Sequence, residues 1–385
     1  MYRIALAFEC VDSVNTHIMK GILAYARQNP LFEFLFFANS DARGLEDLKN
    51  WNGDGAIVAL TTNEAISIAE TFDFPAVNIS SECNNASIPR VYRDHAEIAI
   101  DATNHFASLG VEQIAYLGLR DTYYSEIKWA LIQKESAELC KQATSLFIDR
   151  PSSLLYEEQM AEQFKTWLKS HTFPIGLLLD NDDFYPFVHQ ACTQIGLKIP
   201  QDIAVLSVRN SRASQFYEVS LSSYEFNNIK HGMLTMKTLH ALLENRADEV
   251  DLDVSIKGIK LHERESSNIL HCRDHRLSAA VKHIKEKTRS LHSVDEIADA
   301  VGCSRRTLEN SIKEELGCTL RQFLINEKLR NVKYLIDNHL YGDIYDLASK
   351  TGFSSSRHLR NVFLKNEGCK LESYLNNKLD SNHSF

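Results

Sequence analysis

Short apolar runs alternate with amphipathic stretches of helical length through the first two-thirds of the chain. The apolar runs occupy residues 4–8, 34–38, 55–60, 76–80, 114–119, 146–148, 175–179 and 204–208. The helix candidates between them are residues 16–28, 96–109, 127–140, 157–169 and 184–195. Short, wholly apolar runs are typical of strands buried on both faces, and their alternation with helices predicts parallel α/β sheets. About 270 residues of this pattern favour two doubly wound lobes over one.

After residue 208 the chain is predicted to cross back between the lobes. Residues 221–226 predict a strand, residues 227–244 a helix, and residues 253–257 and 260–265 a closing hairpin around Gly258. Residues 266–273 are polar, which indicates a linker, and we place it over residues 268–275. The sequence therefore predicts a first domain over 1–267, a linker over 268–275 and a second domain over 276–379.

The last third is helical throughout, and residues 294–313 reappear as residues 344–363. Matched positions lie fifty or fifty-one apart: Ala298/Ala348, Gly302/Gly352, Ser304/Ser354, Leu308/Leu359 and Ile312/Phe363. In each copy the small Ala allows close helix packing, the Gly ends a helix, and the Ser is placed to cap the next one. This is the pattern of a helix-turn-helix motif, whose second helix enters a DNA major groove. A single copy would equally fit a helical repeat packed for stability, whereas two matched copies favour DNA binding.

Two further apolar stripes complete the predicted second domain. Leu277, Ala280, Val281 and Ile284 predict an opening helix, and Leu329, Val332, Leu335 and Ile336 predict a helix that joins the two motifs. One rigid connector would hold the motifs about one DNA turn, roughly 34 Å, apart.

Polar residues opposite the buried leucines are the candidate DNA contacts. They are Arg305, Arg306, Glu309 and Asn310 in the first copy, and Ser356, Arg357, Arg360 and Asn361 in the second. Arginine pairs with guanine, asparagine with adenine, and glutamate accepts from cytosine. Lys313, Ser355 and Lys365 are candidates for phosphate. A solvated polar face explains any one of these residues, but explains the group less well. The first copy holds the richer mixture, so we expect it to discriminate sequence more.

The charge distribution separates the two predicted domains. The chain of 385 residues has a net charge of −9, but residues 275–385 hold 18 Lys/Arg against 14 Asp/Glu, which is +4. The remainder holds 24 against 37, which is −13. The acidic part should not touch phosphate, and the mildly basic part must bind DNA through placed contacts and dimerisation.

Several other classes of protein are disfavoured by the sequence. The eight cysteines are dispersed without metal spacing, and there is no phosphate-binding glycine loop, Gly-x-Ser-x-Gly elbow or His/Asp cluster. We therefore expect no metal, no cofactor and no enzymatic activity. The apolar run before Glu9 is too short for a signal peptide, and no later run is long enough to span a membrane, so we expect a cytoplasmic protein.

Polar residues just beyond the predicted strands are the candidate pocket groups. They are Glu9, Asp12, Asp94, Asn181, Asp182, Arg209 and Asn210. Ligands of α/β sheets bind beyond the carboxyl ends of strands, and a two-lobed version places that cleft between the lobes. These groups suit a small, hydroxyl-rich ligand. Helix capping explains each of them equally well.

Residues 180–183 and 195–210, with 51–58 and 106–118, resemble the effector domain of lac-repressor-type regulators, which shares the periplasmic-binding-protein fold. The resemblance implies sugar-contacting roles for Asp94 and Asn181. Two departures put a neutral monosaccharide in doubt: Arg209 stands where that family has an acidic residue, and the usual arginine of the helix after residues 114–119 is replaced near Gln133. Arg209 would suit a sugar acid. Equally, it would pair internally with Glu9, Asp12 or Asp182.

The C-terminal hundred residues resemble the AraC/XylS family of transcription regulators. The matching residues are Ile297, Ala298, Gly302, Ser304, Leu308, Ala348, Gly352, Phe353, Leu359, Phe363, Gly368 and Tyr374. Ile312 replaces a usual aromatic, and Leu371 a common proline. A lac-repressor-type sensor ahead of this reader resembles bacterial xylose-responsive operon regulators.

The resulting expectation is an α/β two-lobed, periplasmic-binding-protein-like sensor domain followed by an all-α domain with two helix-turn-helix motifs. The resemblances imply a transcription regulator that is controlled by a sugar or sugar acid. That it activates transcription is implied only by the resemblance. The implied partners are double-stranded DNA, RNA polymerase and a second copy of the chain, with no membrane. The alternative is a regulator whose sensor-like domain binds no small ligand and serves dimerisation or protein contacts.

Overall fold

The structure is a computed structural model. It describes residues 1–9, 13–37, 42–84, 87–150, 154–269, 277, 279–281, 283–284, 294–316, 318–337 and 341–375. They fall into two compact units, Met1–Asn268 and Ile269–Phe385. Most of the predicted linker at 268–275 lies outside the described residues.

The first lobe of the N-terminal unit is built on a parallel sheet of six strands. They are β1 (Tyr2–Ala7), β2 (Phe32–Phe36), β3 (Gly55–Val58), β4 (Ala76–Asn78), β5 (Arg90–Arg93) and β11 (Asp253–Ile256), in the order β11-β5-β4-β3-β1-β2. Its helices are α1 (Ser13–Gln28), α2 (Ala42–Lys49), α3 (Asn63–Ala69) and α8 (Asn228–Leu243). The sequence pattern did not predict α2 or α3, because both are too short to show a clear helical period.

The second lobe repeats this plan. Its strands are β6 (Gln113–Leu119), β7 (Gln142–Ile148), β8 (Ile175–Leu179), β9 (Ile203–Val208), β10 (Ser222–Phe226) and β12 (Ile259–His262), in the order β12-β10-β9-β8-β6-β7, and only the β10–β12 pair is antiparallel among them. Its helices are α4 (His95–Ser108), α5 (Tyr123–Glu138), α6 (Leu154–Leu168) and α7 (Tyr185–Gln194). All residues of β8 and β9 are buried, as strands covered on both faces require. The two doubly wound lobes are confirmed.

The chain passes between the two sheets three times: after β5, after β10, and between β11 and β12. The third passage shows that the predicted closing hairpin is wrong. β11 pairs with β5 in the first sheet, whereas β12 pairs with β10 in the second. Gly258 does adopt a turn conformation, with φ of +97°, and its N–H donates to the Glu97 carboxylate over 2.9 Å. A glycine turn in the sequence indicates a change of direction, but it does not say which strands pair.

Helices α1 and α8 pack directly against each other on the first lobe. A Cβ atom on Gly232 would lie 1.9 Å from the Ile18 carbonyl oxygen, so the two helix backbones are almost in contact. Next to this glycine, the fully buried His231 places Nε2 2.6 Å from the carbonyl oxygen of Val91 in β5. Burial lowers the pKa of His231 to about 3. The imidazole therefore stays neutral and ties the helix to the sheet.

The C-terminal unit contains five described helices: α9 (Val294–Ala300), α10 (Arg305–Leu316), α11 (Leu320–Asp337), α12 (Ile344–Lys350) and α13 (Ser356–Glu367). The beginning of α11 contributes Leu320 and Phe323 to a core with Ile297, Leu308 and the predicted opening stripe. Its later part contributes Leu329 and Val332 to a second core with Leu347, Leu359 and Phe363. One helix is thus shared by two small cores, as the apolar stripes predicted. No helix in the described ranges has the length and apolar composition needed to cross a membrane.

The buried His231 should make the stability of the N-terminal unit depend on pH. In the unfolded chain a histidine titrates near 6.5, so between about pH 6.5 and 3 the unfolded state binds the extra proton and the folded state does not. Stability contributed by this residue is present above pH 6.5 and is lost on acidification by up to about 1.4 kcal/mol per pH unit. His231→Gln keeps a donor for Val91 and removes the titration. We expect its thermal unfolding temperature to fall less steeply than that of the wild type from pH 6.5 to 4.5. Parallel curves would contradict the assignment.

Candidate functional site

The two lobes of the N-terminal unit meet at Glu82, which follows β4 of the first lobe. Its carboxylate accepts a hydrogen bond of 2.5 Å from Nη2 of Arg150, which follows β7 of the second lobe. Its carbonyl oxygen accepts one of 2.9 Å from the N–H of Tyr123, the first residue of α5. Burial raises the pKa of Glu82, opposed by the charges of Arg150, Arg93 and Arg209. The cleft expected beyond the carboxyl ends of the strands is therefore bridged by one acidic residue.

A buried histidine lies beside this bridge. The His95 ring stacks on Tyr124 of the second lobe, with ring centroids 4.8 Å apart, and its Nε2 lies 2.8 Å from the Ser81 hydroxyl of the first lobe. Burial, and then the charges of Lys128 and Arg93, hold the pKa of His95 well below its usual value. His95 is thus a neutral, largely apolar contact between the lobes.

Beneath Tyr124 lies a fully buried ion pair between Lys128 of α5 and Asp180 at the end of β8. Asp180 also accepts from the hydroxyls of Tyr116 (2.6 Å) and Ser125. The Lys128 ammonium lies 4.8 Å from the centre of the Tyr124 ring. Burial lowers the pKa of Lys128, and the Asp180 charge opposes that shift. Four polar side chains therefore satisfy one another at the end of β6 and β8.

Two of the predicted pocket residues cap helices. The Asp94 carboxylate accepts from the N–H of Ala96 over 3.0 Å, at the beginning of α4. The Asn181 side chain accepts from the N–H of Asp183 over 2.7 Å. Capping uses one oxygen of each side chain, and Asp94 remains partly exposed. Asp94 directly follows β5 and Asn181 lies two residues after β8, at the strand ends where the cleft is expected.

Asp182 and Asn210 belong to a buried framework. Asp182 is completely buried and accepts from the Ser211 N–H and the hydroxyls of Ser214 and Ser223 over 2.5–2.7 Å. Asn210 accepts from Arg264 over 2.6 Å and donates to Glu225 over 3.3 Å. Both oxygens of Asp182 are occupied, so this carboxylate fixes the loop after β9 and has no surface for a ligand.

Arg209 pairs internally, but with a partner other than those considered from the sequence. Its Nη1 lies 3.0 Å from an oxygen of Asp183, and one-third of the side chain is exposed. Glu9 is exposed, and its carbonyl oxygen accepts from the Asn15 side chain. Asp12 lies outside the described residues. The structure therefore brings Asp183 to Arg209, and Glu9 forms no hydrogen bond or ion pair with the other predicted pocket groups that the structure describes.

Sequence reasoning missed the residues that join the lobes. The buried cation of α5 is Lys128, whereas Gln133 is exposed on the same helix. A signal was present, because Lys128 lies among Ile127, Trp129 and Ala130 and has a serine three positions before it. Glu82, His95 and Arg150 gave no such signal, since their partners are distant in sequence. In the described residues no group of three or more His, Cys, Asp or Glu could hold a metal ion.

The C-terminal unit shows both predicted turns. Gly302 and Gly352 have φ of +66° and +70°, where a side chain would be strained. Ser304 caps α10 by accepting from the N–H of Thr307 over 3.1 Å. In the second copy the cap is Ser355, which accepts from His358 over 3.1 Å, so the expectation that Ser354 caps is wrong. The residue inserted in that copy moves the helix start by one position.

The second helix of each motif exposes the predicted polar face. Leu308 and Ile312 of α10, and Leu359 and Phe363 of α13, are buried. The exposed predicted residues are Arg305, Arg306, Asn310, Lys313, Ser355, Arg357, Arg360, Asn361 and Lys365, while Glu309 and Ser356 are partly exposed. Arg305 pairs with Glu309 (2.9 Å) and Asp295 (3.6 Å), and Arg360 pairs with Glu372.

Breaking the buried pair at the end of β8 should destabilise the N-terminal unit. Lys128→Met leaves the Asp180 charge buried, and Asp180→Asn leaves the ammonium buried, so each should cost about 3–5 kcal/mol. In the double variant neither charge remains, and the cost should fall below the sum of the single costs by about 1–3 kcal/mol. Thermal unfolding measures all three. Lys134→Met, on the exposed side of α5, is the matched control and should change stability by less than about 0.5 kcal/mol. Additive single costs would contradict the pairing.

The two units match different known families. Residues 103–267 match the periplasmic binding protein-like domain, and residues 297–377 match a helix-turn-helix domain. The xylose operon regulatory protein of Escherichia coli (strain K12) is 24% identical over 375 residues, covering 94% of this chain and 94% of that protein. The fold agrees with that of the xylose-binding transcription activator xylR, with a TM-score of 0.63 and 20% identity over 97% of this chain and 98% of the other.

A second solved structure matches the N-terminal unit. It is a periplasmic binding protein/LacI transcriptional regulator from Alkaliphilus metalliredigens in complex with D-xylulofuranose. Its TM-score is 0.56 at 17% identity, over 69% of this chain and 99% of the other. The chain thus joins a periplasmic binding protein-like domain to a helix-turn-helix domain, as the resemblances drawn from the sequence predicted, and it is similar along its length to xylose operon regulatory proteins.

Proposed function

We propose that this protein is a sequence-specific DNA-binding transcription regulator, controlled by a small sugar or sugar-derived effector in the N-terminal cleft. The observation that carries the proposal is the pair of helix-turn-helix motifs, each with a buried apolar face and an exposed face of arginine and asparagine. Similarity to proteins named as operon regulators supports a regulatory, non-enzymatic role in the compartment that holds the DNA. The likeness to a transcription activator supports activation and contact with RNA polymerase.

The charges around the cleft favour a neutral sugar over a sugar acid. Arg150 pairs with Glu82, Arg209 with Asp183, and Lys128 with Asp180. To bind Arg150 or Arg209, a carboxylate ligand would have to displace an existing anion, whereas a sugar hydroxyl donates to the carboxylates and accepts from these guanidinium groups without breaking a pair. Partly exposed Tyr124, Asp94 and Arg209 add an apolar ring face and further hydrogen-bonding groups.

Effector binding would act by changing how the lobes are held together. Glu82 of the first lobe contacts the second lobe, and His95 at the start of α4 contacts Ser81 of the first lobe, so a ligand bound beside them stabilises one lobe arrangement over another. Coupling of this kind amounts to about 1–3 kcal/mol between two sites. In a homodimer it would alter the placement of two DNA-binding units.

A second candidate function is a regulator whose N-terminal unit binds no small ligand. Complete burial of Asp182 and of the Lys128–Asp180 pair favours it, because these polar groups are already satisfied by protein. The unit would then serve dimerisation or contacts with other proteins.

Selection of bound DNA from a random library tests the proposed function. The full chain is incubated with the library alone and with a panel of pentoses, hexoses and their acids. We expect one enriched sequence whose affinity changes with a particular neutral sugar. A response confined to sugar acids would overturn the neutral assignment, enrichment without any response would favour the ligandless function, and no enrichment would refute DNA reading.

Replacing Glu82 should weaken effector binding. Glu82→Gln keeps the size of the side chain but removes the charge that receives the Arg150 hydrogen bond and would receive a sugar hydroxyl. Loss of one charged hydrogen bond corresponds to about tenfold weaker binding, or about 1.4 kcal/mol. Calorimetric titration with the sugar identified above measures the change. Glu126→Gln, an exposed carboxylate on α5, is the matched control and should bind as the wild type does. Equal affinities for both variants would contradict a role for Glu82.

A further inference from the structure

Both recognition helices carry the same pair of polar side chains. Arg306 and Asn310 lie four residues apart on α10, and Arg357 and Asn361 lie four residues apart on α13. The offset between the pairs is fifty-one positions, the same as between the buried Leu308 and Leu359. The two pairs therefore occupy equivalent places relative to the core of each motif. Side chains four apart on a helix lie on one face, with Cβ atoms about 5–6 Å apart.

The structure separates these four residues from the other candidate readers. All four are exposed, and none makes a side-chain hydrogen bond or ion pair with any residue that the structure describes. In contrast, Arg305 is held by Glu309 and Asp295, and Arg360 is held by Glu372. The Arg305 and Glu309 side chains, which made the first copy look richer in sequence, neutralise each other. Of the arginine and asparagine candidates, one arginine and one asparagine remain available in each copy.

The chemistry of this pair identifies the bases that it fits. Arginine donates two hydrogen bonds to N7 and O6 of guanine, and asparagine exchanges two with N7 and N6 of adenine. Base pairs rise about 3.4 Å along each strand. A helix face that presents the two side chains about 5–6 Å apart therefore spans one to two base-pair steps. Each motif fits a short element with one guanine and one adenine.

The helix α11 fixes the spacing between the two readers. It contributes to both cores, and polar contacts bind it to the second motif. Lys328 donates to the carbonyl oxygen of Gly352 over 2.6 Å, Gln322 to Asn366 over 3.0 Å, and Lys333 to Glu367 over 3.0 Å. A motif bound in one groove thus determines where the other is presented. Successive major grooves on one face of DNA are about 10 base pairs apart.

We propose that the operator contains the same guanine-and-adenine element twice, about 10 base pairs apart, and that one copy of the chain reads both elements with its two Arg–Asn pairs. The proposal rests on the proposed function, since it requires that the recognition helices enter DNA. It makes the two motifs equal readers of base sequence.

The test is DNA selection with the full chain and four single variants. For Arg306→Ala and Arg357→Ala we expect loss of preference for the same base, guanine, at two positions about one helical turn apart. For Asn310→Ala and Asn361→Ala we expect loss of preference for adenine, again at two positions about one helical turn apart. Arg27→Ala, an exposed arginine at the end of α1, removes one positive charge elsewhere and should keep the wild-type preference. Equal melting temperatures establish that the variants fold.

Binding to altered operators completes the experiment. Changing guanine in one element should weaken wild-type binding roughly 5- to 150-fold, and should cause no further loss for the variant whose arginine reads that element. An enriched site without a repeated element, or arginine variants that relax different bases, would overturn the proposal while leaving DNA reading intact. No enriched sequence for the wild type would instead refute the proposed function.

Discussion

A lysine with no access to water stays charged only beside an anion, and this requirement organises the end of β6 and β8. Lys128 enters the interior from α5 because Asp180 is there to receive it, with the hydroxyls of Tyr116 and Ser125 completing the hydrogen bonds. The Tyr124 ring covers the ammonium, and His95 stacks on that ring. The contact between the lobes therefore rests on a satisfied buried charge, and the groups above it can face a ligand.

The alternation of apolar runs was sufficient to predict the lobes, because a strand covered on both faces is almost wholly apolar. The prediction that residues 253–257 and 260–265 pair as a hairpin was wrong, because the pattern around Gly258 indicates a turn but does not identify the partner of either strand. The doubled stretch predicted both motifs, since caps and turn glycines act within a few residues. Even there one inserted residue moved the cap from Ser354 to Ser355, which only the backbone geometry decides.

The site was less predictable than the fold, for a physical reason. Polar residues that follow a predicted strand can cap a helix, fix a loop or contact a ligand, and the sequence does not distinguish these roles. Asp94 and Asn181 proved to cap helices, and Asp182 to hold a loop, because each met nearby backbone N–H groups. Glu82 and Arg150 lie 68 positions apart, so only the completed fold brings them together. A local pattern identifies local interactions, and the bridge between the lobes is not local.

The two units treat charge in opposite ways. Around the cleft the cations Lys128, Arg150 and Arg209 each have an acidic partner, which suits a ligand that must bind without bringing charge of its own. On the recognition helices, Arg306 and Arg357 have no acidic partner among the residues that the structure describes. A guanidinium that is already paired has to lose that partner before it can read a base, so an unpaired one discriminates at lower cost. Whether a cation has an acidic partner therefore distinguishes residues that stabilise the structure from residues that are available to recognise DNA. On that criterion the recognition helices are equal, although their sequences differ at most other exposed positions.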